Sequence, residues 1–326
     1  MSGLGYLFRA NHAIPPADLA AEQRFRDLQG LALSAYGVPA VSKQVPIADP
    51  PLNVHFLDAG AGEPLLFLHG GNSVAAGWIP LLAKLEGYHL LAPDRPGCGL
   101  TTKFNYSNVS VRDHATVFVG SVMDALGLKK AVIVGNSMGG YFALAFALSR
   151  ADRVSKLILL GEPAGSAPDI RVANRLVGTR IINSALFLSV LKPGPATMRN
   201  SLRSMLVAHP ERVSDALFDC LTAGAVIPGA AESWITMNES FFRPPGAGLI
   251  SGASTLSYAL RPELNGLHIP TLFLWGDRDT FGPPTLGKEM AALMPAARCE
   301  VIPDAGHLPW IDDAQLCAQH IRDFLA

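Results

Sequence analysis

Residues 131–148 read AVIVGNSMGGYFALAFAL. The short apolar run AVIV, bounded by glycine, has the composition of a buried strand, and the run after Met138 has the length and the alanine and leucine content of a helix. Between them lies Gly135-Asn136-Ser137-Met138-Gly139. A strand that turns abruptly into a helix at a serine lifts the serine oxygen above the sheet edge, and small flanking residues let the backbone fold that tightly. The stretch therefore predicts a nucleophile, Ser137, and a sheet whose strands alternate with helices.

Working outward, strand-like runs are predicted at 52–57, 64–68, 89–92, 156–160, 271–275 and 299–302, with helical stretches at 111–126 and 138–149. Strands alternating with helices imply an α/β fold with a doubly wound, mostly parallel sheet and a site at the carboxyl ends of its strands. The alternation stops at 163–267, where helix-like segments are broken by Pro and Gly; this reads as an inserted helical cap rich in Leu, Val, Ala, Met and Phe. The core is then 41–162 plus 268–326, preceded by a helical extension over 1–40 with helix spacing from Ala17 to Leu33. Nothing in that extension decides whether it packs on the core, on the cap or on a second chain.

The chain has 326 residues, 49% hydrophobic and 16% charged, with a formal net charge of -1. That composition supports a large buried core and excludes a disordered chain, and without a basic run nucleic acid is not expected as a partner. Cys98, Cys220, Cys299 and Cys317 lack paired metal or redox spacing. No secretory signal is read at the N-terminus, and the longest apolar stretches, such as 185–191, are too short to span a bilayer, so no membrane partner and a cytoplasmic location are expected. Oligomeric state is not legible.

A serine nucleophile needs a histidine to take its proton and an acid to orient that histidine. Two C-terminal stretches, TLFLWGDRDTFGPP and CEVIPDAGHLPW, each run from an apolar strand straight into a turn carrying the required group. His307 is the expected base; Asp277 and Asp279 are both placed to be the acid.

Taken together, these motifs resemble the α/β-hydrolase superfamily over about 52–160 and 269–325. The resemblance implies an eight-stranded sheet. It places the acid a few residues before a proline, which favours Asp279 ahead of Pro283, with Glu162 as a substitute used by some relatives. It implies an oxyanion hole from the backbone N–H of Met138 and of Gly71 or Asn72 in the turn His69-Gly70-Gly71-Asn72. His69 is then a structural residue of that loop, and Asp94-Arg95-Pro96-Gly97-Cys98-Gly99 a bracing turn with an unreactive Cys98. Trp78 and Trp310, next to these motifs, are the candidate substrate contacts. No metal and no cofactor are implied.

The elbow is similar to that of meta-cleavage-product hydrolases, which split carbon–carbon bonds. Those enzymes continue with Gly-Pro-Gly where this chain has Asn72-Ser73-Val74, and they carry tryptophan where it has Leu308. They also grip the substrate's acid with a cap arginine, and none of Arg171, Arg175, Arg180, Arg199, Arg203 and Arg212 is singled out here. The expected activity is hydrolysis of a small apolar ester or lactone through an acyl-enzyme. Carbon–carbon hydrolysis, a perhydrolase or haloperoxidase-like activity, and a non-catalytic binding protein are the alternatives. Ser137 argues against haloalkane dehalogenase and epoxide hydrolase, which need a carboxylate at the elbow.

Overall fold

The computed structural model describes residues 17–166, 194–242 and 260–326. Eight strands form one sheet in the order β1-β2-β4-β3-β5-β6-β7-β8. They are β1 (Val41–Ile47), β2 (Leu52–Gly60), β3 (Glu63–Leu68), β4 (Tyr88–Pro93), β5 (Ala131–Asn136), β6 (Val154–Leu160), β7 (Thr271–Gly276) and β8 (Ala297–Ile302). β2 runs antiparallel to both β1 and β4, and every other pair is parallel. Seven strands fall on predicted runs. β1 had no such signal: as an edge strand it buries only Ile47, so its sequence VSKQVPI lacks a clear apolar alternation.

The central strands read as unbroken apolar runs because both faces are covered. Successive residues point to opposite sides: in β3, Leu65 and Phe67 enter one core while Leu66 and Leu68 enter the other. One face packs against α2 (Val111–Ala125), α3 (Met138–Ser149) and α7 (Pro284–Leu293); the other receives α8 (Ala314–Leu325). α3 is buried from Met138 to Ala147, which explains its apolar sequence on every side. Side-chain caps fix where α2 and α8 begin, Ser110 accepting from the Asp113 N–H at 3.3 Å and Asp313 from the Leu316 N–H at 2.9 Å.

Between β6 and β7 the described residues form helices, chiefly α4 (Pro195–Ser201), α5 (Asp215–Val226) and α6 (Ala230–Phe242), and no strand. The N-terminal α1 (Leu19–Ala35) lies along α5. Its fully buried Phe25 reaches Gly224, where an added β-carbon would stand 3.0 Å from the ring and 2.7 Å from Val74. The part of the extension in view therefore packs on the insertion and on the loop after β3.

Candidate active site

Ser137 sits at the end of β5 with φ 52° and ψ -119°, the left-handed backbone expected of a sharp strand-to-helix turn and strained for a residue with a side chain. The glycine after Met138 makes this possible. A β-carbon on Gly139 would lie 1.9 Å from the Leu68 carbonyl, so only glycine lets the start of α3 press against the end of β3. Met138, opening α3, has one of the N–H groups that a helix leaves without an internal partner.

Asp279 and His307 come from the loops after β7 and β8. His307 Nδ1 donates to the Asp279 carboxylate, at 3.0 Å from one oxygen and 2.9 Å from the other. The same carboxylate accepts the backbone N–H groups of Glu162 and Phe281, each at 2.9 Å, so its orientation is fixed from two sides. Both residues are buried, and His307 Nε2 is a buried nitrogen without a hydrogen-bond partner. The Phe281 ring lies 4.1 Å from the imidazole. Asp277 does other work: its carboxylate accepts the Ala305 N–H at 3.2 Å and braces the turn before His307. Arg278 pairs with Asp304, not with Asp277. Glu162 meets Asp279 through its backbone, and its carboxyl lies towards Gly282.

Asn136, the residue before Ser137 in the elbow, joins three strand ends. Its side-chain amide donates to the carbonyls of Leu160, at 2.7 Å, and His307, at 3.2 Å. Its role was not legible because nothing local marks a residue that bonds 171 positions away.

The loop after β3 is held by a buried arginine. Arg95 Nε donates to the His69 carbonyl at 2.8 Å and its Nη2 to the Gly70 carbonyl at 2.7 Å, while its backbone N–H donates to His69 Nε2. His69 Nδ1 in turn donates to Gly70 O at 2.9 Å, which defines the neutral tautomer. Burial, reinforced by the Arg95 charge, pushes the His69 pKa down to about 3. His69 is thus structural. Behind it, the buried Asp94 accepts from His55 at 2.7 Å, Ala75 N at 2.7 Å and Leu100 N at 3.0 Å. Burial alone would raise the Asp94 pKa, but His55, His69 and the Ala75 N–H together outweigh it and hold the group below the usual carboxylate range. Burial also raises the Cys98 thiol pKa, in keeping with an unreactive side chain.

Gly70, Gly71, Asn72, Ser137 and His307 line one cavity of about 140 Å³. The insertion supplies an apolar wall: Met198, Leu202, Leu206, Leu221 and Trp234. These walls, and Phe281, were not singled out from sequence. Trp78 and Trp310 are corrected: the described residues lining the cavity include neither. Both are buried and stack on each other at 4.1 Å, and Trp310 Nε1 donates to the Gly77 carbonyl. Next to strand-end motifs, two large aromatic rings found each other rather than the site.

Among the described residues, no Lys or Arg lines this cavity and no group of His, Cys, Asp and Glu could hold a metal ion. Arg171, Arg175 and Arg180 lie outside the described residues. Arg199 and Arg203 line a separate recess beyond Leu202, with Arg199 over the Phe218 ring, and Arg212 donates to the Asp312 carbonyl.

A family model described as the alpha/beta hydrolase fold matches residues 63–314. The chain is 31% identical over 285 residues to a 2-hydroxy-6-oxononadienedioate/2-hydroxy-6-oxononatrienedioate hydrolase of Comamonas testosteroni, covering 84% of this chain and 91% of that one. It is also 31% identical over 284 residues to a 2-hydroxy-6-oxo-6-phenylhexa-2,4-dienoate hydrolase of Burkholderia cepacia, with the same two coverages, 84% and 91%. Among solved structures, naproxen esterase of Bacillus subtilis superposes with a TM-score of 0.73 at 20% identity, over 95% of this chain and 100% of that one, a likeness of fold alone.

Proposed function

The chain belongs to the α/β-hydrolase fold family, and on that premise we propose that it is a serine hydrolase of small apolar carboxylic esters or lactones. One observation carries the reading: the strained Ser137 and the Asp279-oriented His307, its Nε2 unpartnered, open on the same cavity, whose walls are apolar.

In this mechanism Ser137 Oγ attacks the acyl carbonyl while His307 Nε2 takes the hydroxyl proton. Asp279 keeps Nδ1 protonated and stabilises the imidazolium that forms. The N–H groups of Met138 and Gly71, with Asn72 alongside, receive the oxyanion of the tetrahedral intermediate. His307 then returns the proton to the departing alkoxide. Water, deprotonated by the same nitrogen, releases the carboxylic acid and restores Ser137.

A second reading is carbon–carbon hydrolysis, favoured by what the two 31%-identical relatives are named for. Their substrates, by those names, are carboxylates, whereas the described lining of this cavity carries no fixed cation. The test compares p-nitrophenyl esters of short acids with a 2-hydroxy-6-oxo-dienoate. Ester turnover that disappears in Ser137→Ala supports the first reading. Dienoate cleavage with a higher kcat/KM than any ester overturns it in favour of the second.

A further inference from the structure

The insertion and the histidine loop share a single carboxylate. Asp312, buried at 5% exposure in the short turn after His307, accepts the Gly306 N–H at 2.8 Å through Oδ2. Across the junction it accepts the Ala208 N–H through Oδ2 at 3.0 Å and the His209 N–H through Oδ1 at 2.8 Å. These donors belong to two stretches that each carry part of the site. Gly306 immediately precedes His307, and Ala208 follows Leu206, which forms a wall of the cavity.

The contact around Asp312 is close on both sides. The Leu308 N–H donates to the Leu206 carbonyl at 2.8 Å, and Thr280 Oγ1 to the Met205 carbonyl at 2.8 Å. A β-carbon on Gly306 would stand 2.8 Å from the Leu206 carbonyl and 2.9 Å from Val207 Cα, so glycine is what allows the two backbones to touch. At the outer end His209 Nε2 bonds Asp304 at 2.5 Å. A carboxylate satisfied by several backbone donors fixes the chains that present them, because losing it strands buried N–H groups on both.

We propose that Asp312 is a positioning residue that couples the cap to the catalytic base: one side chain holds the cavity wall at Leu206 and the loop of His307 in a single register. The inference rests on His307 being the base. Asp312 does not line the cavity; it acts by keeping the imidazole against Asp279 and on the cavity that Ser137 also lines, and by making any outward movement of the 205–209 segment pull on Gly306. A substrate that displaces Leu206 therefore also moves the base.

Two variants test this. Asp312→Asn keeps the size and replaces one acceptor oxygen by a donor. Ala208→Pro removes one of the two cap-side N–H donors and leaves that of His209, and the extended backbone of Val207, φ -130° and ψ 151°, suits a residue before proline. Turnover of p-nitrophenyl acetate is measured per Ser137 titrated with a fluorophosphonate, and hydrogen exchange is followed in peptides covering 204–212 and 303–310. Asp312→Asn is expected to lower kcat per titrated site by about 10- to 100-fold with KM within about threefold, the scale of a base displaced by a fraction of an ångström to an ångström. Exchange should accelerate in both peptides, and Ala208→Pro should accelerate 303–310 as well as 204–212.

Unchanged kcat per titrated site in Asp312→Asn overturns the proposal, since a merely structural role only reduces the number of sites. So does an Ala208→Pro variant in which the 303–310 peptide exchanges as in wild type. If Asp312→Asn does not fold, Ala208→Pro decides alone. If wild type turns over no ester, the ester reading fails, while the exchange experiment still decides whether cap and histidine loop move together.

Discussion

The six-membered ring of the Trp234 indole occupies the place a side chain on Gly71 would take: a β-carbon there would lie 2.2 Å from Cη2 of that ring. A residue of α6 thus rests on the loop proposed to receive the oxyanion, and the glycine is required by contact rather than by backbone angle. Gly71→Ala is expected to lower kcat by about 100-fold, the usual effect of losing one oxyanion donor. In a Trp234→Ala background the same substitution should cost at least about tenfold less, since the obstructing ring is gone. Steady-state kinetics of the four proteins read this directly, and equal costs in both backgrounds refute it.

The choice of acid can be decided by two amides. Asp279→Asn should reduce kcat by about 10³- to 10⁴-fold, because an amide facing Nδ1 favours the wrong histidine tautomer. Glu162→Gln, whose backbone N–H still binds Asp279, should stay within a few-fold of wild type. The reverse ranking would make Glu162 the acid.

His114 gives a pH prediction. It is buried among Phe104, Tyr106, Phe118 and Phe142 with Nε2 unpartnered, and burial, aided by Arg95, pushes its pKa down to about 4. In the unfolded chain the same group titrates near 6.5, so below that pH the unfolded state binds a proton the folded state refuses. Its stabilising neutral form is fully present above about pH 6.5, and that stability is lost as pH falls towards 4. His69 acts in the same direction down to about 3. His114→Phe should therefore flatten the loss of stability between pH 6.5 and 4 and gain on the order of 1 to 2 kcal/mol at pH 5. Urea unfolding at pH 5 and 7 checks it; a variant no steadier at pH 5 relative to pH 7 than wild type counts against the assignment.

The stacked tryptophans should report on stability and not on substrate. Trp310→Phe strands the Gly77 carbonyl and should destabilise by about 1 to 3 kcal/mol. Trp78→Phe loses no hydrogen bond at its unpartnered Nε1 and should cost less. KM is expected to change by less than about twofold in either. A large shift in KM would return these residues to the binding site.

Much of the architecture was legible because each central strand is a short apolar run bounded by turn residues, and Ser137, His307 and the loop carrying Asp277 and Asp279 each come directly after such a run, the resemblance alone favouring Asp279. What was hidden depends on distant parts of the chain. β1 is solvated on most of its length and carries no periodic signal. Trp234 and Leu206 come from the insertion, where nothing local tells a wall of the cavity from an ordinary buried residue. Arg95 looked like part of a turn, although it is fully buried and its guanidinium holds the loop after β3 by its carbonyls. Asn136 was visible as an elbow residue, but not as the tie between β5, β6 and the histidine loop.

Phe25 of α1, seated against Gly224 and Val74, bears on how this protein can be recombined with its kin. A chimera that exchanges only the segment between β6 and β7 would cut through an apolar interface and leave α1 facing a stranger. The natural unit of exchange is discontinuous in sequence, the N-terminal helix together with the insertion. Libraries meant to graft new specificities onto this scaffold should move both pieces or redesign the seam at positions 25 and 224.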